Sequence, residues 1–141
     1  MKSPTGNPCR ECPFRRKSLA GYVGATTPEE FLASSHSAAE PMPCHMEVNY
    51  ERKDWQAQAK KVHQCSGHAI YLENVCKVPR TDDVKTLPAD KELVFGNGYA
   101  FLEHHGGDPV EWMKMMLPPG VKISKTYAAY VRKQAKALAR K

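Results

Sequence analysis

Long apolar runs are missing from this chain. No stretch of about 18 apolar residues is available to span a bilayer, and mean hydropathy is −0.59. The opening MKSPTGNPCR carries charge but not the apolar core of a secretory signal, so a reducing cytosol is the expected compartment. There is no internal repeat, no Gly-rich phosphate loop, no Ser/His/Asp ordering and no paired-carboxylate pattern. These absences point away from the common hydrolase and nucleotide-binding classes. Little of the chain alternates as a strand would. Acids are absent from residues 122–141, which hold Lys122, Lys125, Arg132, Lys133, Lys136, Arg140 and Lys141. This segment therefore carries +7 and the preceding 121 residues carry −1, within a net charge of +6.

Core material is thin for 141 residues, with many of the hydrophobics being Ala and with 11 Pro and 9 Gly. A loop-rich chain of this kind needs a staple. Its five cysteines supply one. Cys9 and Cys12 form a Cys-x-x-Cys pair, and Cys44 and Cys65 follow singly in PMPCH and VHQCSGH. In a reducing compartment clustered cysteines bind metal more often than they form disulfides. Two thiolates three residues apart grip one ion from a turn, and four make a closed structural site. The predicted ligands are Cys9, Cys12, Cys44 and Cys65. His45 and His68 are alternatives, because His45 follows Cys44 and Cys65-x-x-His68 copies the spacing of the first pair. Zinc is slightly favoured and a [4Fe–4S] cluster is the close alternative, since Cys12-Pro13 matches the Cys-Pro of ferredoxin runs. Arg10, Arg15 and Arg16 are expected to offset the thiolate charge. Cys76 is expected to be a buried free thiol on the third helix.

The ordered motifs CRECPFR (residues 9–15), TPEEF (27–31), PCH (43–45) and CSG (65–67) resemble a domain-of-unknown-function family of small Cys-rich phage and prophage proteins. The likeness covers residues 8–80 and continues loosely to 107. It implies a metal-bound phage accessory protein in the infected host cell, with no established reaction. It also implies Cys44 rather than His68 as the fourth ligand.

The predicted fold is mostly α with long loops: a small metal-stapled domain over residues 1–120 and a basic amphipathic helix over 121–141. Thr27, Asn97, Asp108 and Ser124 read as helix caps, with Pro28 and Pro109 at first helical positions and Gly106 as a left-handed stop. A helix over 54–63 carries Trp55, Ala59 and Val62 on one face. Another covers about 67–76, capped by Ser66. The first helix should fade near Ser37. In the C-terminal helix, Tyr127, Val131, Ala135 and Leu138 form the expected apolar face. Lys125, Arg132, Lys133, Lys136 and Arg140 are the expected contacts to nucleic acid or to an acidic host protein. Glu103, His104, His105 and Asp108 read as a polar helix end rather than a catalytic group, and Trp112 with Met113, Met115, Met116 and Leu117 as core. Three functions follow: a non-enzymatic binding module, an iron–sulfur enzyme acting on nucleic acid, or a pure protein-interaction factor whose basic tail aids solubility.

Overall fold

The computed structural model describes residues 1–36, 40–77, 79 and 81–141. Among the described residues there are six helices: α1 (Pro28–Ser35), α2 (Trp55–Ala59), α3 (Ser66–Asn74), α4 (Gly98–His105), α5 (Pro109–Met116) and α6 (Lys125–Ala139). Among the described residues, β structure is limited to isolated bridges: Lys2 with His63, Arg15 with Val94 and Pro43 with Gln64. The protein is mostly helical, as its sequence predicts.

Helix starts follow local chemistry. The side chains of Thr27, Asn97, Asp108 and Ser124 accept backbone N–H groups of Glu30, Ala100, Val110 and Tyr127. Each satisfies a donor that the first turn cannot. Gly106, at φ 74°, ends α4 as expected. α1 ends at Ser35 with His36 as its cap, and the fade expected near Ser37 lies outside the described residues.

α3 is the central element, with every residue but Glu73 buried. Against it packs Phe14, fully buried, whose ring centroid lies 5.2–5.7 Å from those of Phe31, His68, Tyr71 and Phe101. Phe14 stands two residues after Cys12, so the aromatic core anchors the Cys-x-x-Cys turn. Val94 and Phe95 are buried beside it, and Phe95 N–H donates to the Phe14 carbonyl at 3.1 Å. Helices α1, α4, α5 and α6 pack on one another, and Leu32 of α1, Phe101 of α4 and Ala139 of α6 share the core with Ile70 and Tyr71 of α3. The basic helix is part of that packing: Ala128, Val131, Ala135 and Ala139 are buried, and Asn97 Nδ2 donates to the Leu138 carbonyl at 2.9 Å.

Several expectations fail for identifiable reasons. α3 stops at Asn74, because Lys77 N–H bonds back to Leu72 C=O and Cys76 N–H to Glu73 C=O. This closing motif puts its αL residue at Cys76, φ 56°. Cys76 is consequently exposed rather than buried on the helix. Helix α2 spans only five residues and buries none of them. Trp55 lies on the surface beside Tyr50, their rings 5.4 Å apart. In α6 the inward row is Ala128, Val131, Ala135 and Ala139, so Tyr127 and Tyr130 face outward, 49% and 57% exposed. On α5 Val110 is buried, whereas Met115 and Met116 are exposed.

Candidate metal centre

Three segments meet in front of the N-terminus of α3. Residues 62–65 run between two others. On one side Lys2 N–H donates to Val62 C=O and Gln64 N–H to Lys2 C=O, at 2.9 and 2.8 Å. On the other, Cys44 N–H donates to His63 C=O and Cys65 N–H to Met42 C=O, at 2.8 and 2.7 Å. This short ladder sets Cys44 opposite His63 and Cys65 opposite Met42, so the two cysteines lie diagonally across it. Gln64, 1% exposed, clamps it from behind: its amide both donates to and accepts from the Lys85 backbone. The Cys-x-x-Cys turn comes in from the opposite side, closed by Cys12 N–H to Cys9 C=O at 3.1 Å.

Cys9, Cys12, Cys44 and Cys65 all line one cavity of about 160 Å³, together with His45, His63 and Glu47. The Sγ atoms of Cys12 and Cys65 are 3.7 Å apart. Two thiolates sharing one tetrahedral zinc at about 2.3 Å stand about 3.8 Å from each other. Thiolates of a four-iron cluster each take a different iron and stand further apart. Among the described residues, no group of three or more His, Cys, Asp or Glu side chains forms a ready-made coordination shell. The close pair is Cys12 with Cys65, and Cys9 and Cys44 share the cavity wall.

The sulfurs sit in matching backbone settings. The N–H two residues on acts on each one: Glu11 on Cys9, Phe14 on Cys12, Met46 on Cys44 and Gly67 on Cys65. Such N–H groups favour thiolate. Burial works against them and raises the Cys9 and Cys44 thiols. The buried pair splits the roles. Its mutual hydrogen bond holds the proton on Cys12, whose pKa rises, and favours thiolate at Cys65, whose pKa falls. Cys65 is also the N-cap of α3, taking the His68 N–H at 3.5 Å. Its charge therefore lies at the positive end of the helix.

Gly67 makes the close approach possible. A Cβ there would fall 2.2 Å from Cys12 Sγ and 3.2 Å from Phe14 Cβ. In the sequence CSG reads only as a break, and this requirement does not show. Nor is Ser66 the cap expected of it, being instead the first helical residue.

The two alternative ligands separate. His45 lines the cavity, and its Nε2 is buried without a hydrogen-bond partner. Burial lowers its pKa, which keeps the ring neutral. His68 is directed elsewhere: its Nε2 meets the Ser35 carbonyl at 2.9 Å and its ring lies against Phe14. His63, two residues before Cys65, also lines the cavity, with its Nδ1 2.7 Å from Glu47 Oε1. A carboxylate on one imidazole nitrogen is the usual outer-shell device for orienting the ring near a metal. The expected arginine compensation is not seen around the cavity. Arg16 is held by the Lys91 carbonyl at 2.6 Å and lies over Phe95, while Arg10 and Arg15 line other surface hollows.

The histidine pair on α4 is structural. His105 accepts Gly21 N–H on Nδ1 at 3.0 Å and donates from Nε2 to Pro13 C=O at 2.8 Å. Burial lowers its pKa, consistent with a neutral ring bonded on both sides. His104 Nε2 meets the Ser18 carbonyl at 2.6 Å. Both rings fasten the loop that follows Cys12.

On α6, Lys125, Lys133, Lys136 and Arg140 are exposed. Arg132 is the exception in pairing, with Nη2 2.9 Å from Asp108 Oδ2. Among the described residues, no other cation of residues 122–141 takes part in an ion pair.

No family model matches this sequence, and it has no match among curated proteins or solved structures.

Proposed function

We propose that this protein is a non-enzymatic nucleic-acid-binding module whose N-terminal half is stapled by one structural zinc on Cys9, Cys12, Cys44 and Cys65. The observation carrying this reading is the convergence of those four thiols, from three chain segments, on one cavity. The 3.7 Å Cys12–Cys65 separation supports a single shared ion over a cluster. An ion seated between that pair draws Cys9 and Cys44 in from the same wall. Matching N–H groups behind the sulfurs stabilise the thiolates it needs. His45 stands beside them as a spare donor. Four thiolates leave no open position for water, so the metal organises and does not catalyse.

Binding falls to the exposed cations of α6. With Arg132 tied to Asp108, phosphate contact rests on Lys125, Lys133, Lys136 and Arg140. The resemblance to phage Cys-rich proteins is compatible with an accessory role in the host cytoplasm.

Metal analysis of protein purified without oxygen tests the centre. One equivalent of zinc in a colourless protein is expected, and each Cys→Ser variant of the quartet should lose it. A brown protein carrying about four irons would replace zinc with a cluster, and a metal-free folded protein would overturn the centre. Binding to a labelled oligonucleotide is expected to weaken linearly in log–log form with salt. Every phosphate neutralised steepens that line by about 0.7–0.9, so K133E/K136E should flatten it by about 1.5. Salt-independent binding, or none, would leave a protein-interaction factor.

A further inference from the structure

We infer that the nucleic acid taken by α6 is single-stranded, with its bases stacked on Tyr127 and Tyr130. This rests on the nucleic-acid reading above and names its substrate class. The sequence pattern puts Tyr127 on the buried face; the structure turns both tyrosines out, about half exposed. Their rings are near-parallel, at 25° with centroids 6.1 Å apart. Residues three apart on a helix are surface neighbours, so Tyr127, Tyr130, Lys133 and Lys136 form one ridge that turns about 60° per step and crosses the exposed face of α6 from one flank to the other. It places two flat aromatic faces and then two cations along the helix, about 4.5 Å per step.

The four side chains are exposed, and neither lysine is in an ion pair among the described residues. A duplex offers this row phosphates but hides its base faces. An acidic protein segment offers charge without flat partners. A single strand offers both, because every unpaired base has a π-face and each is followed by a phosphate. The chemistry of the row is thus complementary to a repeating base–phosphate unit. It is sequence-tolerant, since nothing in it reads base edges.

The test uses the full chain, metal-loaded, with fluorescein-labelled oligothymidylate and oligouridylate of about 20 nucleotides, longer than the roughly 4–16 that one stacking module covers. A duplex of equal length is the comparison. Y127A/Y130A should weaken single-strand binding by about tenfold or more and leave duplex binding within about twofold. Y127F/Y130F should bind like the unaltered protein, because stacking needs the ring and not the hydroxyl. The thymidylate and uridylate arms show whether DNA or RNA is preferred. Unchanged single-strand affinity in Y127A/Y130A, or tighter binding to duplex than to single strand, would overturn the inference while leaving phosphate contact intact. Failure of every oligonucleotide to bind would overturn the nucleic-acid reading itself.

Discussion

Gly67 shows how much one residue can decide here. The Cys12 sulfur occupies the space a side chain at 67 would need. Nothing flexible can give way, since Phe14 Cβ closes the other side at 3.2 Å. Gly67→Ala should therefore displace Cys12, break the Cys12–Cys65 contact and reduce bound zinc below one equivalent. Gly106→Ala is the control. Its Cβ would meet open space and cost only about 1–2 kcal/mol for a left-handed backbone. Metal content of the two purified variants decides it; equal zinc in both would show that Gly67 does not shape the site. That Cys9, Cys12, Cys44 and Cys65 would come together at one cavity was legible, because residue type and spacing carry it. The glycine was not, because its role depends on a sulfur 55 positions away, which only the folded path brings near.

Among elements, helix starts were legible and helix faces less so. Caps at Thr27, Asn97, Asp108 and Ser124 act within three residues, so local sequence suffices. The inward face of α6 depends on what α4 and α5 offer. They offer a shallow surface that takes alanines at 128, 135 and 139, and the bulkier tyrosines stay outside. α3 gave little periodic signal because it is buried nearly all round. The joint between α1 and α3 makes a pH prediction. His36, the C-cap of α1, has Nε2 2.6 Å from the Tyr71 hydroxyl on α3. Burial, aided by Lys77 and His68, lowers its pKa from 6.5 to about 4. Between those values the unfolded chain binds a proton that the folded chain refuses. Stability should thus fall as pH drops from about 6.5 toward 4, by up to about 1.4 kcal/mol per pH unit for this group. Above pH 7 it contributes no slope. His36→Gln should flatten the pH dependence of the urea midpoint by about one proton at matched metal content. Identical slopes would mean His36 is charged in the folded protein.

At the scale of the molecule, two regions are held by different forces. Phe14, Leu32, Tyr71, Phe101 and their neighbours form a hydrophobic core that binds α1, α3, α4 and the end of α6. Residues 40–63 add only the half-buried Met42 to that core. Val48 is the one buried side chain among them, and α2 buries none. Ordering a residue costs about 1–2 kcal/mol of backbone entropy, which surface turns alone do not recover. The ladder from Lys2 to Cys65 and the thiol site must make up the difference. The proposed zinc, on the scale of zinc-finger peptides at about 10–16 kcal/mol, would be ample for that. Chelation should accordingly loosen one region and spare the other. The amides of Cys44, Gln64 and Cys65, protected by the ladder, should lose hydrogen-exchange protection when a strong chelator is added. Those of α4 and α6 should keep theirs. Equal protection with and without chelator would show that the ladder stands alone. Simultaneous loss everywhere would show that the aromatic core cannot stand without the site, and that the division into two separately held regions is false.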